Sequence, residues 1–299
     1  MKLGFIGLGR MGKALVLQAT EKGHTIVAHN RSPEPIHEVK EAGAIPAYTL
    51  EELFHNLKDQ EQKIVWLMLT SSVVDEKIQE ILPYMSKGDL IIDGGNSWFE
   101  DSQRRSKELE HKGIHFIDCG TSGGVEGARH GACMMLGTSN KEMFKLIEPL
   151  IRDVCVKDGY AHVGSSGAGH FVKMVHNGIE YGEMAALGEG FQALEKHSHS
   201  LSLNLQDISK VYAHGSIVEG KLSTLLQRGL KREDFKDIQG LVPKGETEEE
   251  MLKLAKLADM PILEESIAQR VKSRTHPSFS AKIMATLRNE FGGHKVEKK

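Results

Sequence analysis

The feature that most constrains this chain is Gly7-Leu8-Gly9-Arg10-Met11-Gly12, which closes the apolar run Leu3–Gly7 and opens the helix-length segment Lys13–Lys22. In a strand–turn–helix setting the first glycine permits a tight bend. The second lets a pyrophosphate approach the backbone, and the third lets helix and strand pack closely. The following helix N-terminus then offers unpaired N–H groups and a positive dipole end. The spacing therefore predicts a dinucleotide site at Gly7, Leu8, Gly9, Met11 and Gly12, joined by Leu69 at the end of the strand-like run Ile64–Leu69.

The end of the second strand selects the dinucleotide. An acidic residue there would bond the adenosine ribose of NAD and repel a 2′-phosphate. The sequence instead reads His29-Asn30-Arg31-Ser32. Arg31 offers a guanidinium fork suited to phosphate, Ser32 adds a donor, and Asn30 carries no charge. Glu34 opposes this, so NADP is favoured and NAD stays open.

Short apolar runs at Thr25–His29, Ile64–Leu69, Leu90–Asp93, His115–Asp118 and Ala132–Leu136 alternate with helical patterns such as Val74–Leu82 and Phe99–Lys112. That alternation predicts βαβ units and a mainly parallel sheet. From about Gly164 the texture turns helical, with a long segment from Gly167 to about Lys196 and no convincing strand after it. The expected architecture is an α/β Rossmann-type dinucleotide-binding domain, residues 1–163, followed by an all-α substrate and dimerisation domain, residues 164–299. Thr247 is expected to cap a helix opening on Glu248, Glu249 and Glu250, with Glu249 and Lys253 an i,i+4 pair. Pro261 and Pro277 divide the remainder, Gly292–Gly293 ends the last helix, and the charged tail Val296–Lys299 is expected to fray.

Composition narrows the class. With 299 residues, 38 Lys+Arg against 41 Asp+Glu and 39% hydrophobic residues, the chain suits two domains with ordinary cores. A net charge of -3 argues against a nucleic-acid partner. No apolar run approaches the ~20 residues of a membrane span. Cys119, Cys133 and Cys155 cannot all pair and show no CxxC spacing, which suits a reduced, cytoplasmic setting. No metal set is evident: His197-Ser198-His199 lacks Cys or carboxylate partners, and Cys133 lacks a neighbouring base.

The stretch Gly167 to Gly182 carries the chemistry. At about 100° per residue, Lys173, His176, Asn177, Glu180 and Tyr181 share an arc of about 140°, with Val175 and Ile179 opposite. A plain solvated face is the bland alternative. Against it stand five different functional groups in place of repeated Glu/Lys, and Gly178 and Gly182 where a backbone or ligand would need close approach. A desolvated lysine can serve as base, and a buried carboxyl can return a proton elsewhere on the same substrate. His176 and Asn177 can hold oxygens, and Tyr181 can donate to an anion. Asn96, in Asp93-Gly94-Gly95-Asn96-Ser97, and the Ser122-Gly123-Gly124 turn stand at strand ends, where open α/β folds bind ligands. Arg288 and His294 flank the final helix end, with Arg288 able to clamp a phosphate.

Taken together, these motifs resemble the short-form decarboxylating 6-phosphogluconate dehydrogenases, within the wider β-hydroxyacid dehydrogenases. The match runs through Gly7–Gly12, Ile91–Ser97, Ser122–Arg129, His170–Tyr181 and Arg288–His294. The resemblance implies that Lys173 accepts the 3-hydroxyl proton during oxidation and that Glu180 protonates the enediol left after CO2 departs. It implies that Ser122, Gly123 and Gly124 hold the carboxylate of a sugar-acid phosphate, and Asn96, His176 and Asn177 its hydroxyls. Tyr181 and Arg288, assisted by His294, would hold the phosphate, and no metal is required. The resemblance also implies a homodimer or homotetramer in which the C-terminal tail, with Arg288 and His294, serves the neighbouring subunit. Two departures stand out: Glu219 falls where longer relatives place a phosphate arginine, and their Lys-Gly-Thr-Gly loop is not recognisable. Either Arg288, Arg274, Lys272 or Arg270 then supplies the phosphate contacts, or the preferred substrate differs. The competing readings are a non-decarboxylating dehydrogenase of 3-hydroxyisobutyrate or tartronate semialdehyde type, and a non-catalytic NADP(H) sensor.

Overall fold

The computed structural model describes residues 1–245 and 247–298. The chain divides into two compact units, Met1–Lys173 and a second from Met174 on. The change of texture near residue 164 precedes that division because the first turn of the long helix packs on the sheet. A Cβ on Gly169 would meet the carbonyl oxygens of Asp118 and Met135, both at 2.5 Å.

The first unit runs β1 (Lys2–Ile6), α1 (Arg10–Glu21), β2 (Thr25–His29), α2 (Glu34–Glu41), β3 (Ile45–Ala47) and α3 (Leu50–His55). It continues through β4 (Ile64–Leu67), α4 (Ser71–Ile81), β5 (Leu90–Asp93), α5 (Phe99–Glu110) and β6 (His115–Ser122). α6 (Gly124–His130), β7 (Ala132–Gly137), α7 (Lys141–Val154) and β8 (Cys155–Gly164) complete it. The eight strands form one sheet in the order β3-β2-β1-β4-β5-β6-β7-β8, parallel except where β6 meets β7. This is a Rossmann-type arrangement, and the strand order reverses between β1 and β4, where such sheets bind dinucleotides.

The central strands feed two cores, as alternating Cβ directions require. Ile64 and Trp66 of β4 and Leu90 and Ile92 of β5 pack on one face, while Val65, Leu67 and Ile91 pack on the other. Two strands gave little sequence signal. β3 is a three-residue edge strand holding Pro46, and β8 is an edge strand with a register shift between its pairings to Ala132 and Met134. Helix α7 carries Pro149 in its interior, which masks a helical pattern.

The second unit is helical: most of α8 (Ala168–Lys196), then α9 (Leu205–Tyr212), α10 (Lys221–Leu230), α11 (Glu248–Leu257), α12 (Pro261–Ser273) and α13 (Phe279–Gly292). Pro261 starts α12, and Gly293 ends α13 at φ +60°, a left-handed cap that glycine adopts cheaply. Thr247 stands at the N-cap of α11 but makes no side-chain cap bond. Glu249 pairs with Lys244 at 2.7 Å, while Glu248 turns inward to Arg274. The tail does not fray over its described length. Gln239 donates to the carbonyls of Glu297 and Lys298, both at 2.8 Å, and Lys298 Nζ reaches Asp234 at 3.1 Å. Lys299 lies outside the described residues. No helix among the described residues is long and apolar enough to cross a membrane.

Candidate active site

The glycine loop has the geometry of a phosphate cradle. Gly7 adopts φ +104°, and a Cβ there would lie 2.3 Å from the Met68 carbonyl. A Cβ on Gly12 would lie 2.1 Å from the Gly7 carbonyl, so this pair sets the tight turn and the strand–helix approach. Above Gly9 there is nothing within 4 Å. α1 begins there with no side-chain cap and no acidic residue in its first turn, leaving its amides and dipole free for an anion. The residues present therefore fit a dinucleotide. The Leu8 side chain joins the core and its N–H donates to Asn30 Oδ1 at 3.0 Å, so it shapes the loop. Asn30 Nδ2 in turn donates to the Ser32 carbonyl and Oγ at 3.1 Å, tying the loop to the end of β2. Arg31 and Ser32 are exposed beside it.

Leu69 links this loop to the Asn96 turn. Its Cδ2 lies 2.8 Å from where a Gly7 Cβ would stand, and its carbonyl lies 2.4 Å from where a Gly95 Cβ would stand. The turn itself hangs on a buried network. Asp93 accepts from Ser97 Oγ at 2.7 Å and from Arg105 at 3.2 Å, and Arg105 Nε donates to Asp75 at 2.6 Å. Asn96 is thereby presented exposed at the end of β5. Along β6, Gly120 and Ser122 share one strand face. A Cβ on Gly120 would lie 2.4 Å from Lys173 Cβ, so this strand end packs directly on the lysine. Gly123 and Gly124 follow at φ +106° and +64°, backbone that other residues rarely adopt, and start the short helix α6. Arg129 is paired with Glu21 at 2.7 Å.

Helix α8 reverses the ordinary amphipathic pattern. Lys173 is 8% exposed and Tyr181 is buried, His176, Asn177 and Glu180 are half-buried, and apolar Ile179 is 55% exposed. A solvated polar face is thus excluded. His176 Nδ1 and Asn177 Oδ1 are 3.2 Å apart. Gly178 and Gly182 are explained by packing: Met260, Leu263 and Ile262, at the start of α12, lie 3.0–3.1 Å from where their Cβ atoms would be. These glycines admit a helix, not a ligand.

Within the second unit the candidate phosphate groups sort themselves. Glu219 is exposed and accepts from the Gly215 N–H at 2.5 Å, closing a local turn. Lys272 is exposed, and Arg274 is committed to Glu248. Arg270, 2% exposed, lies with its guanidinium carbon 3.2 Å from the Tyr181 ring centroid, and burial pushes it down to about 10. Arg288, 8% exposed, donates to the Pro243 carbonyl at 3.0 Å, and burial lowers it too. Gly245, which sequence reasoning missed, completes the group. A Cβ there would lie 3.3 Å from Arg288 Nη2 and 3.9 Å from Tyr181 Oη. Arg288 therefore sits beside Tyr181 within the chain. His294 is exposed past α13, its ring 6.4 Å from that of Phe291.

Comparison with known proteins places these features. Residues 2–163 match the NAD binding domain of 6-phosphogluconate dehydrogenase, and residues 169–214 match that enzyme's C-terminal domain. The chain is 40% identical to YqeC of Bacillus subtilis, provisionally named a 6-phosphogluconate dehydrogenase, over the full length of both. It is 36% identical to the NAD(+)-dependent decarboxylating 6-phosphogluconate dehydrogenase of Haloferax volcanii, covering 100% of this chain and 99% of that protein. The NADP(+)-dependent enzyme of Bacillus subtilis is 38% identical over 75% of this chain but only 48% of its own length. Among solved structures, 6-phosphogluconate dehydrogenase of Plasmodium falciparum superposes with a TM-score of 0.77 at 26% identity, covering 97% of this chain and 70% of that one. The 3-hydroxyisobutyrate dehydrogenase of Mycobacterium tuberculosis, at 21% identity and a TM-score of 0.73, shares the fold.

Proposed function

Because this chain belongs to the 6-phosphogluconate dehydrogenase family, we propose that it oxidatively decarboxylates 6-phosphogluconate to ribulose 5-phosphate and CO2 in the cytoplasm, with NADP preferred over NAD. The observation that carries the reading is the inverted helix α8, which buries Lys173 and turns Ile179 outward. Burying such a stripe costs desolvation, which a role in catalysis would offset.

When bound in the glycine cradle, the dinucleotide supplies the hydride acceptor. Lys173 Nζ takes the proton of the 3-hydroxyl as C3 is oxidised. The resulting β-keto acid loses C1 as CO2, and protonated Lys173 holds the developing enolate oxygen. Glu180 then delivers a proton to C2 of the enediol, the carbon that lost CO2 and becomes C1 of ribulose 5-phosphate. Ser122, Gly123 and Gly124 hold the departing carboxylate, and Asn96, His176 and Asn177 orient the hydroxyls. Tyr181 and Arg288 hold the phosphate with Arg270 beneath, and His294 assists. Arg31 and Ser32 favour a 2′-phosphate, so NADP is preferred. Exposed Ile179, Ile262 and Val271 on the helical unit suit a homodimer or homotetramer.

A substrate panel tests the reading. Purified protein should reduce NADP with 6-phosphogluconate and leave it oxidised with 3-hydroxyisobutyrate. The reverse preference would replace the decarboxylase with a simple β-hydroxyacid dehydrogenase.

A further inference from the structure

Asp118 on β6 is 0% exposed, yet its function is not explained by contact with any substrate. Its Oδ1 accepts the Gly167 N–H at 2.6 Å and its Oδ2 the His170 N–H at 2.9 Å. Gly167 immediately precedes α8 and His170 lies in its opening turn, and Lys173 stands one turn further on. We propose that Asp118 is a positioning residue for Lys173: its carboxylate clamps the start of α8 to the end of β6 and so fixes where the lysine amine stands.

The surroundings are cut to fit that clamp. A Cβ on Gly137 would lie 2.6 Å from both Asp118 Oδ1 and the Gly169 amide nitrogen. A Cβ on Gly169 would lie 2.9 Å from Asp118 Oδ2, and one on Gly120 would strike Lys173 Cβ at 2.4 Å. Glycines on three segments thus let the helix start rest directly on the strands, leaving no slack for Lys173 to shift. From α5, Ser102 Oγ meets His170 Nδ1 at 2.7 Å and holds the same turn from the other side.

A carboxylate at this place is costly. Burial pushes the Asp118 carboxyl up, opposed by His170 and by the two amides. A serine or asparagine would satisfy one amide with less desolvation. Only a carboxylate offers two acceptor oxygens, joined in one rigid plane, to two amides of the same turn. Both the charge and the helix N-terminus favour the pairing.

The inference rests on Lys173 acting as the base proposed above, and its test is arranged to separate the two. Asp118→Asn should lower kcat on 6-phosphogluconate by about tenfold or more, since displacements of about 1 Å at a catalytic group carry losses of that order. KM and NADPH affinity should stay within about twofold, because the binding groups are untouched. Gly120→Ala, which pushes on Lys173 with Asp118 intact, should give the same signature and carries the test if Asp118→Asn fails to fold. Cys119→Ala, on the same strand, should lose stability and keep kcat. Equal loss of kcat in Cys119→Ala would make the effect general strand damage and overturn the proposal. Independently of substrate, amide exchange across residues 167–174 should accelerate in Asp118→Asn relative to β1 and β2. Unchanged protection there, or unchanged kcat, overturns the clamp; a wild type inactive on 6-phosphogluconate instead overturns the functional reading, and the exchange result still judges the clamp.

Discussion

The guanidinium of Arg270 lies face-on to the Tyr181 ring, its carbon 3.2 Å from the centroid, and its buried Nε has no hydrogen-bond partner among the described residues. Stacking accounts for the face of the fork, but not for an unsatisfied donor in a dry site. An anion beside Tyr181 and Arg288 would satisfy it. Arg270→Met should therefore raise KM for 6-phosphogluconate by ~10- to 100-fold, the range of one charge-assisted hydrogen bond lost. KM for unphosphorylated gluconate should not move. The pH dependence has a definite sign. Burial holds the group at about 10, below the ordinary guanidinium range, so it is charged at neutrality and its contribution is flat there. That contribution should be lost as pH rises through about 10.

The buried Asp93–Arg105 pair gives a stability prediction. Asp93 is fully buried and relies on Arg105, Ser97 and the Gly95 N–H. Arg105→Met leaves an uncompensated buried carboxylate, at a cost of ~3–5 kcal/mol. Urea unfolding should show the loss, and any folded Arg105→Met protein should bind substrate more weakly because the Asn96 turn loses its anchor.

Cofactor choice is tested at Arg31. Because Arg31 is exposed at the end of β2 and α2 opens with Glu34, removing the cation leaves only repulsion for a 2′-phosphate. Arg31→Ala should cut kcat/KM for NADP by ~10-fold or more and leave NAD nearly unchanged, the size of a lost charge-assisted bond. Steady-state kinetics with both cofactors reads this directly.

Two of the three thiols should be inert. Burial pushes Cys155 up to about 12 and Cys119 higher still, so neither is a thiolate near neutrality. In the native protein at pH 8, alkylation should leave both unmodified, and full reaction should require unfolding. Rapid labelling of Cys155 would contradict this placement.

The parts legible in the sequence were those where a single local rule suffices. Glycine spacing and the strand before it located the loop at Gly7–Gly12, and helical periodicity found the stripe from Lys173 to Tyr181. Direction was not legible: periodicity groups the five side chains but cannot say that Ile179 faces water and Lys173 does not. The glycines at 178 and 182 left two occupants open for a related reason, since close approach by α12 and by a ligand leave the same trace in sequence. Edge strands β3 and β8 escaped because proline, a register shift and one-sided burial erase alternation. Arg270, Arg288 and Gly245 come together only through tertiary packing of separate segments, which no spacing encodes.

The central claim is that Lys173 and Glu180 carry an oxidation followed by loss of C1, and one measurement meets it most directly. Purified protein supplied with 6-phosphogluconate labelled at C1 and NADP is followed for NADPH and for released label, in the wild type and in Lys173→Met. The wild type should release one labelled CO2 per NADPH, and Lys173→Met should give neither product while still binding NADPH. NADPH formed without CO2, or turnover surviving in Lys173→Met, would contradict that claim.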